Sequence, residues 1–179
     1  MAEQLGIHEI TPQDVDLITS YWAESDDRYL EGMGVDLGKM PDPEVFREML
    51  NAQISKPIRE KQAYALIWTC NDLPIGHNNI NQITFGKQAN MHLHIWKQEH
   101  RKKGWGVGLV RLAIPVFFEK YQLERILCEP YALNPAPHKL LEKIGFEFVK
   151  TYTTIPGSIN FEQEVHQWVM TREHWNLIQ

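Results

Sequence analysis

The run Arg101-Lys102-Lys103-Gly104-Trp105-Gly106 decides how this chain is read. It stands between an alternating segment, Asn90 to Trp96, and a long apolar segment that ends near Gln122. Alternation predicts a strand, and the apolar segment predicts a helix buried on nearly every face. A turn rich in glycine and cations therefore sits where a strand hands over to a helix. Glycine lets a backbone approach a ligand closely, and the first amides of a helix have no internal partner. Those amides and the positive end of the helix dipole favour a phosphate. The competing reading is that Gly104, Gly106 and Gly108 only ease helix–sheet packing beside a solvated basic turn.

Two other phosphate motifs fit poorly. A nucleotide P-loop needs Gly-Lys-Ser/Thr, which is absent here. In the dinucleotide fingerprint the third glycine stands three residues after the second, and Gly108 falls one residue early.

Working outward, Gln62 to Asn71 and Ile75 to Phe85 read as strands around an Asp72-Leu73-Pro74 turn. The second places Ile80, Gln82 and Thr84 on one face and Asn79, Asn81 and Ile83 on the other. In the next strand Met91, Leu93 and Ile95 share a face opposite His92, His94 and Trp96. Pro115 is expected to kink the long helix. Arg125 to Glu129 is a short strand, Asn134 to Ile144 a helix stopped by Gly145, and Phe146 to Thr153 and Glu164 to Thr171 two further strands. The first third reads as helical, with a capped start at Thr11-Pro12 and a second apolar face from Val45 to Ile54. This order predicts a mixed α/β (α+β) sheet flanked by helices, in one domain spanning 1–179. Residues 1–60 would form a helical region and 61–172 the mixed core.

The chain has 179 residues and a net charge of −5, which argues against a protein built to hold nucleic acid. Two cysteines, Cys70 and Cys128, exclude a disulfide framework. No apolar run approaches the ~20 residues of a membrane span. The opening, Met1 to Ile10, lacks the basic start and apolar stretch of a secretory signal, so a reducing cytoplasm is expected. Glu24 to Glu48 holds eight acids against three bases, whereas Lys97 to Lys103 holds four cations against Glu99. The acidic run is either a surface for a cationic partner or a solvated face.

Arg101-x-x-Gly104-x-Gly106 after a strand resembles the pyrophosphate motif of the GNAT acetyltransferases. Asn134-Pro-Ala-Pro-His-Lys-Leu-Leu-Glu-Lys-Ile-Gly145-Phe146 resembles the family's Asn–helix–Gly-Phe segment. Met170 to Trp175 is similar to the ending of the branch that includes ribosomal-protein N-terminal acetyltransferases. The resemblance is specific from about Ile75 to Arg172 and loose over the first 60 residues.

The resemblance implies acetyl-CoA as cosubstrate, lying where two parallel strands splay apart. Those strands would be Asn90 to Trp96 and Arg125 to Glu129. Backbone near His94, Ile95 and Trp96 would pair with the pantetheine arm. Arg101, Lys102, Lys103, Gly104, Trp105, Gly106 and Val107 would hold the pyrophosphate, and Asn134 the pantetheine end. Lys143 is a further phosphate-facing candidate. The implied reaction is direct attack of a primary amine, from a small molecule or a protein N-terminus, on the thioester.

At pH 7 neutralising an alkylammonium costs about 4–5 kcal/mol, and an N-terminal ammonium about 1 kcal/mol, so a base is useful. His92 is the first candidate, because Met91-His92-Leu93 resembles the histidine strand of serotonin N-acetyltransferase. His94 is second and Glu129 third. The family's usual tyrosine seven residues after the asparagine is Leu141 here, and the serine of the N-terminal branch is Pro137. Tyr131, then His138, are the remaining donors for the leaving sulfur. Cys128 reads as an inert core thiol, not an acetyl relay. No metal is expected, although His92, His94, His100 and Glu99 leave a zinc hydrolase as an alternative. A catalytically silent coenzyme A sensor is another. A homodimer is also an expectation.

Overall fold

The computed structural model describes residues 3–179, so the first two residues of the expected non-leader opening lie outside it. Seven strands form one sheet, β1 (Leu5–Glu9), β2 (Ala63–Cys70), β3 (Leu73–Thr84), β4 (Gln88–Ile95), β5 (Arg125–Cys128), β6 (Glu147–Thr154) and β7 (Gln163–Thr171), in the order β1-β2-β3-β4-β5-β7-β6. Only β4 and β5 run parallel; every other neighbouring pair is antiparallel. The mixed sheet expected from the sequence is therefore the sheet that forms.

The helices are α1 (Val15–Glu24), α2 (Asp27–Gly32), α3 (Pro43–Ser55), α4 (Trp105–Tyr121), α5 (Pro135–Ile144) and α6 (Arg172–Ile178). α4 buries Leu109, Val110, Ala113, Ile114, Phe117 and Phe118 against one face of the sheet. There they meet Trp68, Ile80, Met91 and Ile126, all nearly solvent-free. The helix runs through Pro115 as one element, at the cost of the hydrogen bond its nitrogen cannot make. α1 and α3 cover the opposite face, where Ile18, Phe46, Leu50 and Ile54 pack on Ile10, Ala65 and Ile67.

Two elements were not legible. β1 pairs with β2 from Leu5↔Cys70 to Glu9↔Leu66, so the helical first third begins with a strand and the sheet crosses the boundary drawn at residue 60. α6 is a short terminal helix whose start is capped by Thr171, whose Oγ1 accepts from the His174 amide at 3.1 Å.

The acidic run takes on a local role. Asp26, Asp36 and Asp42 each accept a hydrogen bond from a backbone amide at the start of a helical turn. Glu44 pairs with Arg47 at 2.6 Å. Much of this charge serves helix starts, where negative groups stabilise unpaired amides.

Candidate active site

The parallel pair is short. β4 and β5 are in register only at Gln88↔Arg125, Ala89↔Ile126 and Asn90↔Leu127. Beyond that point the Cys128 thiol donates to the Met91 carbonyl at 3.2 Å in place of a ladder bond. The strands then part, while β4 stays paired to β3 as far as Gly76↔Ile95. The Trp96 amide donates to Ile75 across that pairing at 3.0 Å. Main-chain groups alternate sides along a strand, so those of His92 and His94 also face β3. The peptide groups of Leu93 and Ile95 are left facing the wedge. Within the expected pantetheine-pairing stretch, Ile95 is thus the residue whose backbone opens into the gap.

The basic turn closes the wide end. Lys102 and Gly104 both have left-handed backbone, at φ 61° and 81°. Gly104 is the N-cap of α4, with no side-chain hydrogen bond to the first amides. The amides of Trp105, Gly106 and Val107 are thus free of helical partners. A Cβ at Gly104 would meet no atom within 4 Å, whereas one at Gly106 would lie 2.5 Å from Leu140 Cδ1 and one at Gly108 3.1 Å from Leu5 Cδ1. The packing reading of the glycines holds at two of the three positions. Gly104 shapes an open corner, and Gly106 and Gly108 let α5 and β1 pack against α4.

Lys102 and Lys103 are exposed, and Lys103 lies 5.0 Å over the Trp105 ring. Trp105 is buried and anchored by its Nε1 donating to Glu3 at 2.5 Å. The Arg101 side chain turns inward instead. It donates to the carbonyls of Ile95 and Trp96 at 3.1 and 3.0 Å, and its guanidinium stacks 3.7 Å from the centre of the Tyr29 ring. Asn134 is the N-cap of α5, yet its side chain makes no capping bond, which leaves its amide available. Lys143 is exposed on α5.

On the sheet face away from α4, His92, His94 and Trp96 stand beside His77, Asn79 and Asn81 of β3, as the pairing His77↔His94 and Asn79↔His92 requires. His77, Asn79, Asn81, His92 and His94 floor a cavity of about 330 Å³ between the sheet, α1, α3 and the loop Gly157–Asn160. His92 Nε2 bonds Asn81 Oδ1 at 3.1 Å. With that oxygen as acceptor, Nε2 carries the proton and Nδ1 keeps a lone pair. Burial pushes the His92 imidazole down to about 4, although the Glu129 carboxylate pulls it upward. His94 Nδ1 bonds the Tyr21 hydroxyl at 3.1 Å, which in turn bonds Tyr29. Burial, then His77, His92 and Arg101, hold His94 well below its ordinary value. His77 accepts from Trp96 Nε1 at 2.8 Å and is pushed down to about 3, chiefly by burial. All three rings are neutral at pH 7.

Glu129 Oε1 accepts from Tyr152 at 2.6 Å and from Gln167 at 2.5 Å. Tyr131 is half-buried and packs edge-on to Phe161, 5.6 Å between ring centres. His138 is occupied at both nitrogens, by the Tyr131 carbonyl at 3.1 Å and Trp168 Nε1 at 3.2 Å. Leu141 is fully buried in the core. Burial pushes the Cys128 thiol up to about 12, so it holds its proton at neutral pH. His77, Asn81, Tyr21 and Tyr29 were not picked out from the sequence. The alternation His77-x-Asn79-x-Asn81 opposite His92-x-His94 is the signal that would have found the β3 members. Among the described residues no group of three or more His, Cys, Asp or Glu gathers to hold a metal.

A parallel pair that opens into a wedge beside bare helix amides is the architecture of an acetyl-CoA-dependent N-acyltransferase. The acetyltransferase (GNAT) domain matches residues 4–147, and the chain belongs to the GNAT acetyltransferase family. Acetyl-CoA is its cosubstrate. Spermidine N-acetyltransferase from Vibrio cholerae, solved with CoA and spermine, is similar over 97% of this chain and 98% of its own, with TM-score 0.79 and 18% identity. Aminoglycoside acetyltransferase AAC(6')-Ib, solved with coenzyme A, is similar over 98% and 99%, with TM-score 0.74 and 19% identity. An uncharacterized protein from Bacillus halodurans is similar over 98% and 88%, with TM-score 0.72 and 15% identity. No curated protein matches the chain. Among the described residues no helix is long and apolar enough to cross a membrane.

Proposed function

We propose that the protein acetylates a primary amine bound in the cavity over His92, using acetyl-CoA laid in the β4–β5 wedge. The observation that carries this reading is the convergence of the wedge, the bare α4 amides and His92 along one strand. The coenzyme supplies an activated acetyl carbon. The Ile95 amide, the Trp105 to Val107 amides, Lys102, Lys103 and the Asn134 side-chain amide hold it. That V. cholerae and aminoglycoside acetyltransferases of this fold are named for amine acceptors supports the acceptor class.

The amine lone pair attacks the thioester carbon, the carbon–sulfur bond breaks, and the thiolate leaves with its electron pair. The amine proton passes to His92 Nδ1. A nitrogen forming a bond to carbonyl carbon becomes far more acidic, so an imidazole of low basicity suffices. Glu129 favours the imidazolium that results. Tyr131 is the proton donor to sulfur, because Leu141 and Pro137 have no acidic proton and His138 is occupied. His94, tied to Tyr21, orders the neighbouring floor. The buried free thiols of Cys70 and Cys128 support work in a reducing compartment.

The test is thiol release and mass detection of acetylated product across an amine panel at millimolar acetyl-CoA. Turnover of a primary amine, reduced on the order of 100-fold or more in His92→Ala with coenzyme affinity unchanged, supports the assignment. Coenzyme binding without turnover of any amine would instead make the chain a silent coenzyme sensor. No coenzyme binding at all would remove both.

A further inference from the structure

The cavity above His92 has an unusual charge ledger. None of the residues that wall it is an aspartate or glutamate. Its single formal cation, Lys61, is buried, and its ammonium donates to the carbonyls of Gln53 and Ile54 at 2.5 and 2.7 Å, the last turn of α3. The floor histidines are neutral, as derived above. The acids of Glu24 to Glu48 look outward: all are exposed except the half-buried Asp36. Most of the remaining wall is carbon and thioether: Trp22, Met33, Met40, Phe46, Leu50 and Ile54 among others. The other polar side chains outside the floor, Gln53 of α3 and Ser158 and Asn160 of the loop, carry no charge, and on the floor the half-buried Asn79 makes no side-chain hydrogen bond among the described residues.

A buried ammonium without a counter-charge is strongly penalised. The reacting nitrogen escapes this penalty because it enters neutral beside His92. A second ammonium further along the same molecule would not escape it, with no carboxylate to meet it and Lys61 repelling it. An apolar body gains instead from every methylene it buries. Flexible methionines adapt to different apolar shapes.

We infer that the acceptor is a monoamine with an apolar body, one basic nitrogen at the His92 floor and a hydrocarbon or aromatic skeleton filling the cavity, and that polyamines are excluded. The inference rests on the reading that this cavity is the acceptor site.

The test compares matched amines on the full chain with saturating acetyl-CoA: propylamine, butylamine, pentylamine, hexylamine and phenethylamine against 1,6-diaminohexane, spermidine and kanamycin. Expected is a rise in kcat/KM of roughly fourfold per methylene along the alkyl series. 1,6-Diaminohexane should fall on the order of 100-fold or more below hexylamine. Diamines or spermidine used as well as hexylamine would overturn the inference. Calorimetric titration of the same amines into the coenzyme A complex decides the point without turnover. If no amine is acetylated but hexylamine binds and 1,6-diaminohexane does not, the acetylation reading falls and the monoamine class stands. If neither binds, or the diamine binds tighter, the class falls. Met49 lies on the cavity rim and is 55% exposed, so Met49→Glu should fold. It should raise relative use of the diamine about tenfold; an unchanged ratio counts against the inference.

Discussion

The two sides of the sheet at β4 solve opposite problems. On the wedge side the strand offers the Ile95 amide, its carbonyl being taken by Arg101, and the adjoining turn offers bare amides and solvent-facing lysines. On the cavity side the alternate residues of the strand, His92 and His94, present neutral imidazoles under an apolar roof. One side is made of backbone and suits a ligand whose polar atoms repeat along an arm. The other is made of side chains drawn from α1, α3, β3 and a distant loop. A backbone site needs few particular residues, mainly a glycine where φ is positive. A side-chain site depends on what each neighbouring element contributes, so its chemistry varies while the fold stays the same.

The largest expected effect would break the wedge side alone. Gly104→Glu places a carboxylate in the open corner and should weaken coenzyme A binding on the order of 100-fold or more in calorimetry. Part of that loss is backbone strain at φ 81°. Gly104→Ala carries the strain without the charge and should cost about 1–2 kcal/mol, roughly tenfold. Equal losses in the two variants would mean that the corner does not meet the pyrophosphate.

The cavity side is sharpened by pH. His92 pushed down to about 4 is already neutral throughout the physiological range. The kcat/KM profile should therefore climb with deprotonation of the acceptor amine and show no inflexion between pH 5 and 7. An inflexion near 6.5 that vanishes in His92→Ala would show that the ring is not desolvated as described.

Stability should respond to the same burial. His77, His92 and His94 have folded pKa values below their unfolded ones, so protonation favours the unfolded chain. Their contribution is complete above pH about 6.5 and is lost as pH falls from there towards about 4 for His92 and about 3 for His77. Denaturant titrations should show that decline flatten in His77→Phe, whose ring has no proton to gain.

Two smaller effects separate packing from function. Gly106→Ala drives a methyl towards Leu140 and should cost about 1–3 kcal/mol of stability, read as a lowered Tm. Asp42→Ala removes the cap at the start of α3 and should cost about 1 kcal/mol. If the acids are caps and not a cation-steering surface, the acceptor KM in Asp42→Ala stays put.

The strand, turn and helix beside the wedge were legible because their determinants are local, whereas the parting of β4 from β5 was expected only from the family resemblance. Arg101, Gly104 and the alternation of Met91 to Ile95 stand within fifteen residues of each other, and the helix and strand periods differ visibly there. The cavity was half legible. His92 and His94 shared a face by period, but nothing local tied His94 to Tyr21, 73 residues away. The acids were read as a surface, although Asp42-Pro43 already carries the cap-then-proline pattern of a helix start. β1 escaped because five residues with a glycine, Gly6, at the second position make a weak strand signal. Gly6 earns its place only against a partner, since a Cβ there would lie 2.8 Å from Thr69 Oγ1.

The sulfur at the crotch of the wedge sets a mechanical stop. Peeling β4 from β5 by one more step means breaking a thiol–carbonyl contact, far weaker than an amide hydrogen bond, before the three registered pairs below it are reached. The fork is thus built with a soft latch above a firm hinge. Swapping the latch atom at Cys128 would tune how far the tines spread while leaving the teeth of the zipper untouched.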